Sequence, residues 1–246
     1  MAGGNVLRIA NAMEKHLHQI QAVIFDLDGV ITDTSTLHTR AWKRMADEEG
    51  IPFDPQTADE LRGVSRQKSL EILLYKARTL HGFKKNYTPA EFEELMNRKN
   101  SYYVESLSSI TEKDLLAGVK EIFEFLKANR YKIAIASSSK NAREVIKNLQ
   151  IEGIPDAIVD GTEIEHSKPH PEIFQKAANR LGVAYEQCAV VEDAASGVEA
   201  ANAAGMMSIG IGPEERSLAG NAIPDYRFED MEALSRGINR LFQSAE

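Results

Sequence analysis

In Ala22-Val23-Ile24-Phe25-Asp26-Leu27-Asp28-Gly29-Val30-Ile31-Thr32-Asp33-Thr34, a short apolar run ends on two carboxylates separated by one leucine. A run of this kind has the composition of a strand buried on both faces. Alternate residues of a strand share a side, so Asp26 and Asp28 emerge together where the chain turns at Gly29. Two like charges side by side are costly unless a cation neutralises them or one carboxyl keeps its proton. A calcium loop is excluded, because it needs glycine at its sixth position, glutamate at its twelfth and helices on both sides. Here Gly29 comes fourth and a strand precedes. A solvated turn remains open, since Asp and Gly are common turn residues. The other reading is covalent phosphoryl transfer, with Asp26 attacking phosphorus and Asp28 protonating the leaving oxygen. That chemistry requires partners further along the chain.

Composition leaves room for them. At 246 residues, 43% hydrophobic and 27% charged, the chain is an ordinary soluble globular protein, either one large domain or a domain with an insert. A net charge of −8 argues against a dominant footprint for nucleic acid or for an anionic membrane, so a small anionic substrate needs a local cationic site. Cys188, the sole cysteine, lies in the run Cys188-Ala189-Val190-Val191 and reads as a small buried hydrophobe; no intrachain disulfide can form. Residues 1–20 hold no unbroken apolar stretch of signal-peptide length, and no segment approaches a membrane span. An N-terminal extension on a cytoplasmic monomer is expected.

Apolar runs recur at Ile133-Ala134-Ile135-Ala136, Ala157-Ile158-Val159, Ala189-Val190-Val191 and Met207-Ser208-Ile209-Gly210-Ile211. Helical stripes separate them, Val119, Ile122, Phe123 and Leu126 making one and Ile173, Phe174, Ala177 and Leu181 another. Strands alternating with helices predict an α/β fold, a doubly wound parallel sheet whose site lies beyond the carboxyl ends of the strands. Between 35 and 106 the pattern is helical throughout, and Thr88-Pro89-Ala90-Glu91 has capping-box form. The expected organisation is therefore a core over 21–34 and 107–246, with a helical cap over 35–106 inserted as a lid.

Three further strand ends complete the set. Ser137-Ser138-Ser139-Lys140-Asn141 leads into a helix, where hydroxyls and free N–H groups make a phosphate cradle or, less specifically, a capped loop. Ser167-Lys168-Pro169-His170-Pro171 holds a lysine on a stiff loop, either a surface charge or a partner for a nucleophile. Val191-Glu192-Asp193 supplies carboxylates suited to a hard dication, or a helix cap at Asp193. Asp26, Asp28, Glu192 and Asp193 against Lys168 alone would repel a phosphate. Mg²⁺ together with a protonated Asp28 removes that excess, so Mg²⁺ is expected to be obligatory.

Taken together, Asp26-Leu27-Asp28-Gly29, Ser137, Lys168-Pro169 and Glu192-Asp193 resemble the four motifs of the haloacid dehalogenase superfamily of phosphotransferases, over nearly the whole chain after Ile20. The resemblance implies a Rossmann-like core. Dehalogenases and phosphonatases of that family lack the second aspartate, so Asp28 points to its phosphatase and phosphomutase branches. Leu61-Arg62-Gly63-Val64-Ser65-Arg66 with Ser69-Leu70, and Ala136-Ser137-Ser138-Ser139-Lys140-Asn141-Ala142, are similar to the branch that interconverts β-glucose 1-phosphate and glucose 6-phosphate through a bisphosphate. Carried over by motif, the resemblance implies Asp26 as nucleophile and Asp28 as general acid/base. It implies Mg²⁺ on Asp26, the Asp28 carbonyl, Glu192 and Asp193, with Ser137 and Lys168 on the transferring phosphoryl group. Arg66, Ser139, Lys140 and Asn141 would face the other phosphate, flanked by Ser65 and Ser138. Thr34, His38, Trp42, Gly63, Val64, Ser69 and Lys76 would occupy hinge or lid positions. Ala117 and His170 depart from the mutase pattern, and Lys168-Pro169-His170-Pro171 suits a sugar-phosphate phosphatase equally. A non-enzymatic sugar-phosphate sensor is a further alternative, disfavoured by the intact aspartate pair. Arg66 favours the mutase, because a guanidinium on a closing lid forks onto a non-transferring phosphate and couples its binding to closure.

Overall fold

A computed structural model of the chain describes residues 20–61, 64–213 and 222–243; residues 1–19 of the expected extension and Gly63 lie outside the described residues. The first apolar run forms β1 (Ala22–Phe25), every residue of it buried. It sits between β2 (Lys132–Ala136) and β4 (Cys188–Glu192), with β3 (Ala157–Val159) outside β2. Beyond β4 come β5 (Met207–Ile211) and β6 (Tyr226–Phe228), giving the order β3-β2-β1-β4-β5-β6 with every pair parallel. This is the doubly wound arrangement, in which the strand order reverses between β1 and β4. Phe25 pairs with Ile135 and with Val191, so Asp26 stands level with Ala136 and Glu192. β6 has no counterpart among the sequence runs, because exposed Arg227 interrupts its two half-buried aromatic residues.

Strand alternation sends side chains to two separate cores. Val23, Phe25, Ile133, Ile135, Val191 and Ile209 pack against α5 (Val119–Ala128), α6 (Ala142–Asn148) and α9 (Met231–Gln243), Phe25 meeting Phe123 edge to face at 5.3 Å. Ala22, Ile24, Ala134 and Val190 pack on the other face against α7 (Glu172–Leu181) and α8 (Ala195–Ala203). Both expected stripes are buried, Val119, Ile122, Phe123 and Leu126 on one face and Ile173, Phe174, Ala177 and Leu181 on the other. Among the described residues no helix is long and apolar enough to cross a membrane.

The helical stretch forms α1 (Ser35–Glu49), α2 (Pro55–Glu60), α3 (Arg66–His81) and α4 (Pro89–Leu107) around its own cluster of Trp42, Met45, Leu70, Leu73, Leu74 and Leu95. The Thr88 hydroxyl and the Glu91 carboxylate close the capping box that starts α4. Arg98 on α4 bonds Glu94 and Glu49, and Glu49 also takes Lys85 and Tyr87, which ties α1 to α4. The chain enters and leaves this unit through paired crossings. Leu116 N–H donates to Ile31 O at 2.9 Å, and the Thr32 hydroxyl donates to Asp114 O at 2.7 Å.

Candidate active site

Asp26 follows β1 directly and is 6% exposed. Lys168 Nζ lies 2.5 Å from its Oδ1 and also bonds Glu192 Oε1. The lysine arrives on a loop clamped at its start, where Asp160 accepts from Arg143 and from both the N–H and hydroxyl of Thr162. Burial works against the Lys168 ammonium, but the Asp26 and Glu192 carboxylates outweigh it and raise its pKa. Burial raises Glu192 as well, with Lys168 opposing. The second Glu192 oxygen accepts from the Ala194 N–H at 2.9 Å. Both oxygens of Glu192, an expected metal ligand, thus carry a hydrogen bond within the protein, one of them fixing the lysine. A side chain at Gly197 would collide with this carboxylate.

Asp28 comes two residues later, before a turn at Gly29 with φ 81°. A β-carbon there would stand 2.1 Å from Asp193 Oδ2. Only glycine supplies both the left-handed backbone and the close approach that brings Asp193 over the aspartate turn. Asp193 does not cap α8, whose N-cap is Ala194. The Asp28 carboxyl accepts the Thr34 hydroxyl and lies 3.9 Å from His38 Nε2. Burial, then the charges of Asp26 and Asp33, push its pKa up to about 7. The two aspartates thus differ by environment: one faces an ammonium, and the other holds a proton near neutrality.

On the lid side, His38 stacks on Tyr103 at 3.9 Å, and its Nδ1 is 2.7 Å from Lys99 Nζ. The Lys99 ammonium sits over the rings of Trp42 and Tyr103. Burial and the nearby Arg66 push it down to about 7, against the pull of Asp28. Burial and these same two cations hold His38 well below its usual range. Lys99 lines the cavity, whereas Lys76, expected at a hinge or lid position, pairs with Glu60 outside it. Lys76 lies ten residues beyond Arg66, about 15 Å along α3, and the helix carries it away from the cleft. Lys99 escaped the sequence reading, although a lysine between Leu95 and Tyr103 at i, i+4 spacing on a buried face was the available signal.

Arg66 Nη2 donates to Asn100 Oδ1 at 2.7 Å, and Asn141 Nδ2 donates to the same oxygen at 2.9 Å. Burial lowers the Arg66 pKa. Ser65 spends its hydroxyl capping α3, and the Ser69 hydroxyl faces the Leu61 carbonyl at 3.5 Å. At the end of β2, Ser137 Oγ accepts from Ser139 N–H and Ser139 Oγ accepts from Asn141 N–H, both at 3.2 Å. Ser138 Oγ is buried with no partner among the described residues, and Gly161 admits the Ser138 carbonyl so closely that a β-carbon would lie 2.2 Å from it.

These groups bound one cavity of about 370 Å³, which Trp42, Val64, Ser65, Ser69 and Lys140 also line. Asp26, Asp28 and Asp193 line it, with Lys168 bonded to Asp26; Arg66, Lys99, Lys140 and Asn141 contribute donors to the same wall. Among the described residues no three His, Cys, Asp or Glu side chains converge as a metal cage. Asp26 and Asp193, with a main-chain carbonyl, nonetheless match Mg²⁺, which takes one or two carboxylates and completes its shell with water and substrate phosphate. The side-chain-free approach at Gly29 has the shape such a site needs.

Comparison with known proteins gives a consistent picture. The pattern described as haloacid dehalogenase-like hydrolase matches residues 20–205. The chain is 43% identical over 204 residues to a β-phosphoglucomutase of Bacillus subtilis (strain 168), covering 83% of this chain and 88% of that protein. It is 35% identical over 192 residues to a phosphorylated carbohydrates phosphatase of Thermotoga maritima, covering 77% and 84%. The crystal structure of a β-phosphoglucomutase from Clostridium difficile superposes with a TM-score of 0.81 at 36% identity, over 91% of this chain and 97% of that one.

Proposed function

Because this chain belongs to the haloacid dehalogenase-like hydrolases, we propose that it is a β-phosphoglucomutase, interconverting β-D-glucose 1-phosphate and D-glucose 6-phosphate through an aspartyl-phosphate enzyme and glucose 1,6-bisphosphate. One observation carries this reading: the cavity that holds the aspartate pair also holds Arg66, Lys99 and Asn141, and so has donors for a second phosphate. A phosphatase needs only one phosphate site and access for water.

In the reaction, an Asp26 carboxylate oxygen forms a bond to phosphorus as the bond from phosphorus to the sugar oxygen breaks. Asp28 gives its proton to that leaving oxygen, and in the return step takes a proton from the attacking sugar hydroxyl. Lys168, held by Glu192, neutralises charge on Asp26 and on the phosphoryl oxygens. Ser137 and the N–H groups beside it orient the group being transferred. Asp26, Glu192, Asp193 and the Asp28 carbonyl would hold Mg²⁺, which would supply charge neutralisation at the phosphoryl oxygens. The helices over 35–106 act as the lid, turning about the crossings at Ile31 and Leu116 and excluding water while the bisphosphate reorients. The protein works as a cytoplasmic monomer on sugar phosphates and bisphosphates.

Incubation with β-glucose 1-phosphate and a catalytic amount of glucose 1,6-bisphosphate tests the proposal. Accumulation of glucose 6-phosphate supports it; release of inorganic phosphate in its place would assign the chain to a sugar-phosphate phosphatase, the activity named for the Thermotoga maritima relative.

A further inference from the structure

We propose that Asn100 is the positioning residue of the second phosphate site, its carboxamide oxygen holding Arg66 of the lid and Asn141 of the core in the arrangement that receives a phosphate. This rests on the two-phosphate reading above. Arg66 can only donate, so its bond to Asn100 fixes the carboxamide with the oxygen toward it. Asn141, at the N-cap of α6, supplies the second donor to that same oxygen. One acceptor thus joins α3, α4 and the core, with both of its lone pairs used. Among the described residues Arg66 has no carboxylate partner, so nothing anionic competes for its charge. Each donor spends a single N–H on Asn100, leaving most of the guanidinium and the second Asn141 amide hydrogen for a ligand. Because α4 also carries Lys99 to His38, the adjacent pair Lys99 and Asn100 ties to one helix the lysine and the arginine that this segment gives the cavity. Without the carboxamide, Arg66 regains its rotamers and must be ordered again by each substrate.

The test is a double-mutant cycle of Asn100→Leu, which keeps the bulk and removes the acceptor, with Arg66→Ala, in the full chain with magnesium present. Binding of glucose 6-phosphate is read by calorimetry alongside KM and kcat of the mutase reaction. Asn100→Leu is expected to weaken binding about tenfold and to act on KM more than on kcat. The double variant is expected to bind more weakly than Arg66→Ala alone by clearly less than tenfold, since Asn100 acts through Arg66 and otherwise only through Asn141. Losses that multiply, or an Asn100→Leu protein that binds as the wild type does, would overturn the proposal. Asn100→Ala provides the same reading if leucine disturbs folding. The calorimetric cycle requires no turnover, so the role of Asn100 is read there even if the wild type proves not to be a mutase.

Discussion

Gly29 and Asp193, from the ends of two neighbouring strands, are in contact so close that a methyl group on one would overlap the carboxylate of the other. The strand order reverses at this junction, and a parallel sheet leaves a crevice there. Gly29→Ala should therefore push Asp193 aside without touching either acidic side chain chemically. The expected result is a magnesium affinity lower by about 10–100-fold, with activity partly recovered at high magnesium. Titration of activity against magnesium for both proteins checks it; an unchanged midpoint would refute the contact's role.

Asp26→Asn should abolish turnover and the acid-stable, hydroxylamine-sensitive label expected of an aspartyl phosphate, since the amide cannot serve as the attacking oxygen. Asp28→Asn should still bind substrate but lose about 10²–10⁴-fold in rate, the usual worth of a positioned acid. Labelling with a radioactive bisphosphate separates the two variants.

Because Asp28 titrates at about 7, the protein holds its acid form below that pH and loses it above. With β-glucose 1-phosphate, kcat/KM should fall as pH rises through about 7, and the fall should be absent from whatever activity Asp28→Asn retains. A profile that stays level to pH 9 in the wild type would remove Asp28 from the proton transfer.

Lys99 supplies the opposite sign. Lowered to about 7, it is mostly neutral at pH 8, and a phosphate dianion bound nearby favours its charged form. Binding of glucose 6-phosphate at pH 8 should take up a proton, seen as a calorimetric enthalpy that changes with the ionisation heat of the buffer. Lys99→Met should remove that dependence.

Arg66→Ala should raise KM for hexose phosphates by about 10–100-fold, the cost of losing a charged hydrogen bond in a partly dry site. Hydrolysis of a small aryl phosphate, which has no second phosphate to place, should suffer much less. Equal losses on both substrates would count against a second phosphate site.

The core was legible because burial on both faces writes itself as short apolar runs, and because Asp26, Ser137, Lys168 and Asp193 each follow such a run or lie on the loop after it. The lid was harder to read. Its helices are amphipathic, so residues on the cavity side mix with those of the lid's own core, and spacing alone does not tell which face meets the sheet. Lys99 shows this: its helix periodicity matches that of Leu95 and Tyr103, and only the folded arrangement reveals that its neighbours are His38 and Arg66. Glu192 shows a second limit, since the motif gives the residue but not that its two oxygens meet Lys168 and the Ala194 N–H.

The paired crossings at Ile31 and Leu116 put the entry and exit of four helices within a single hydrogen bond of each other. Along the chain the whole helical segment is therefore a closed loop, fastened to the sheet otherwise by Tyr103 and Leu107 in the core of Phe25 and Ile135 and by the bond from Asn141 to Asn100. Another segment, longer, shorter or differently folded, could be spliced between the same two points so long as it covers the core surface that Ala41, Tyr103 and Leu107 cover. Chemistry and choice of substrate are in this way separately heritable: the catalytic aspartates stay with the scaffold, while selectivity travels with an exchangeable module.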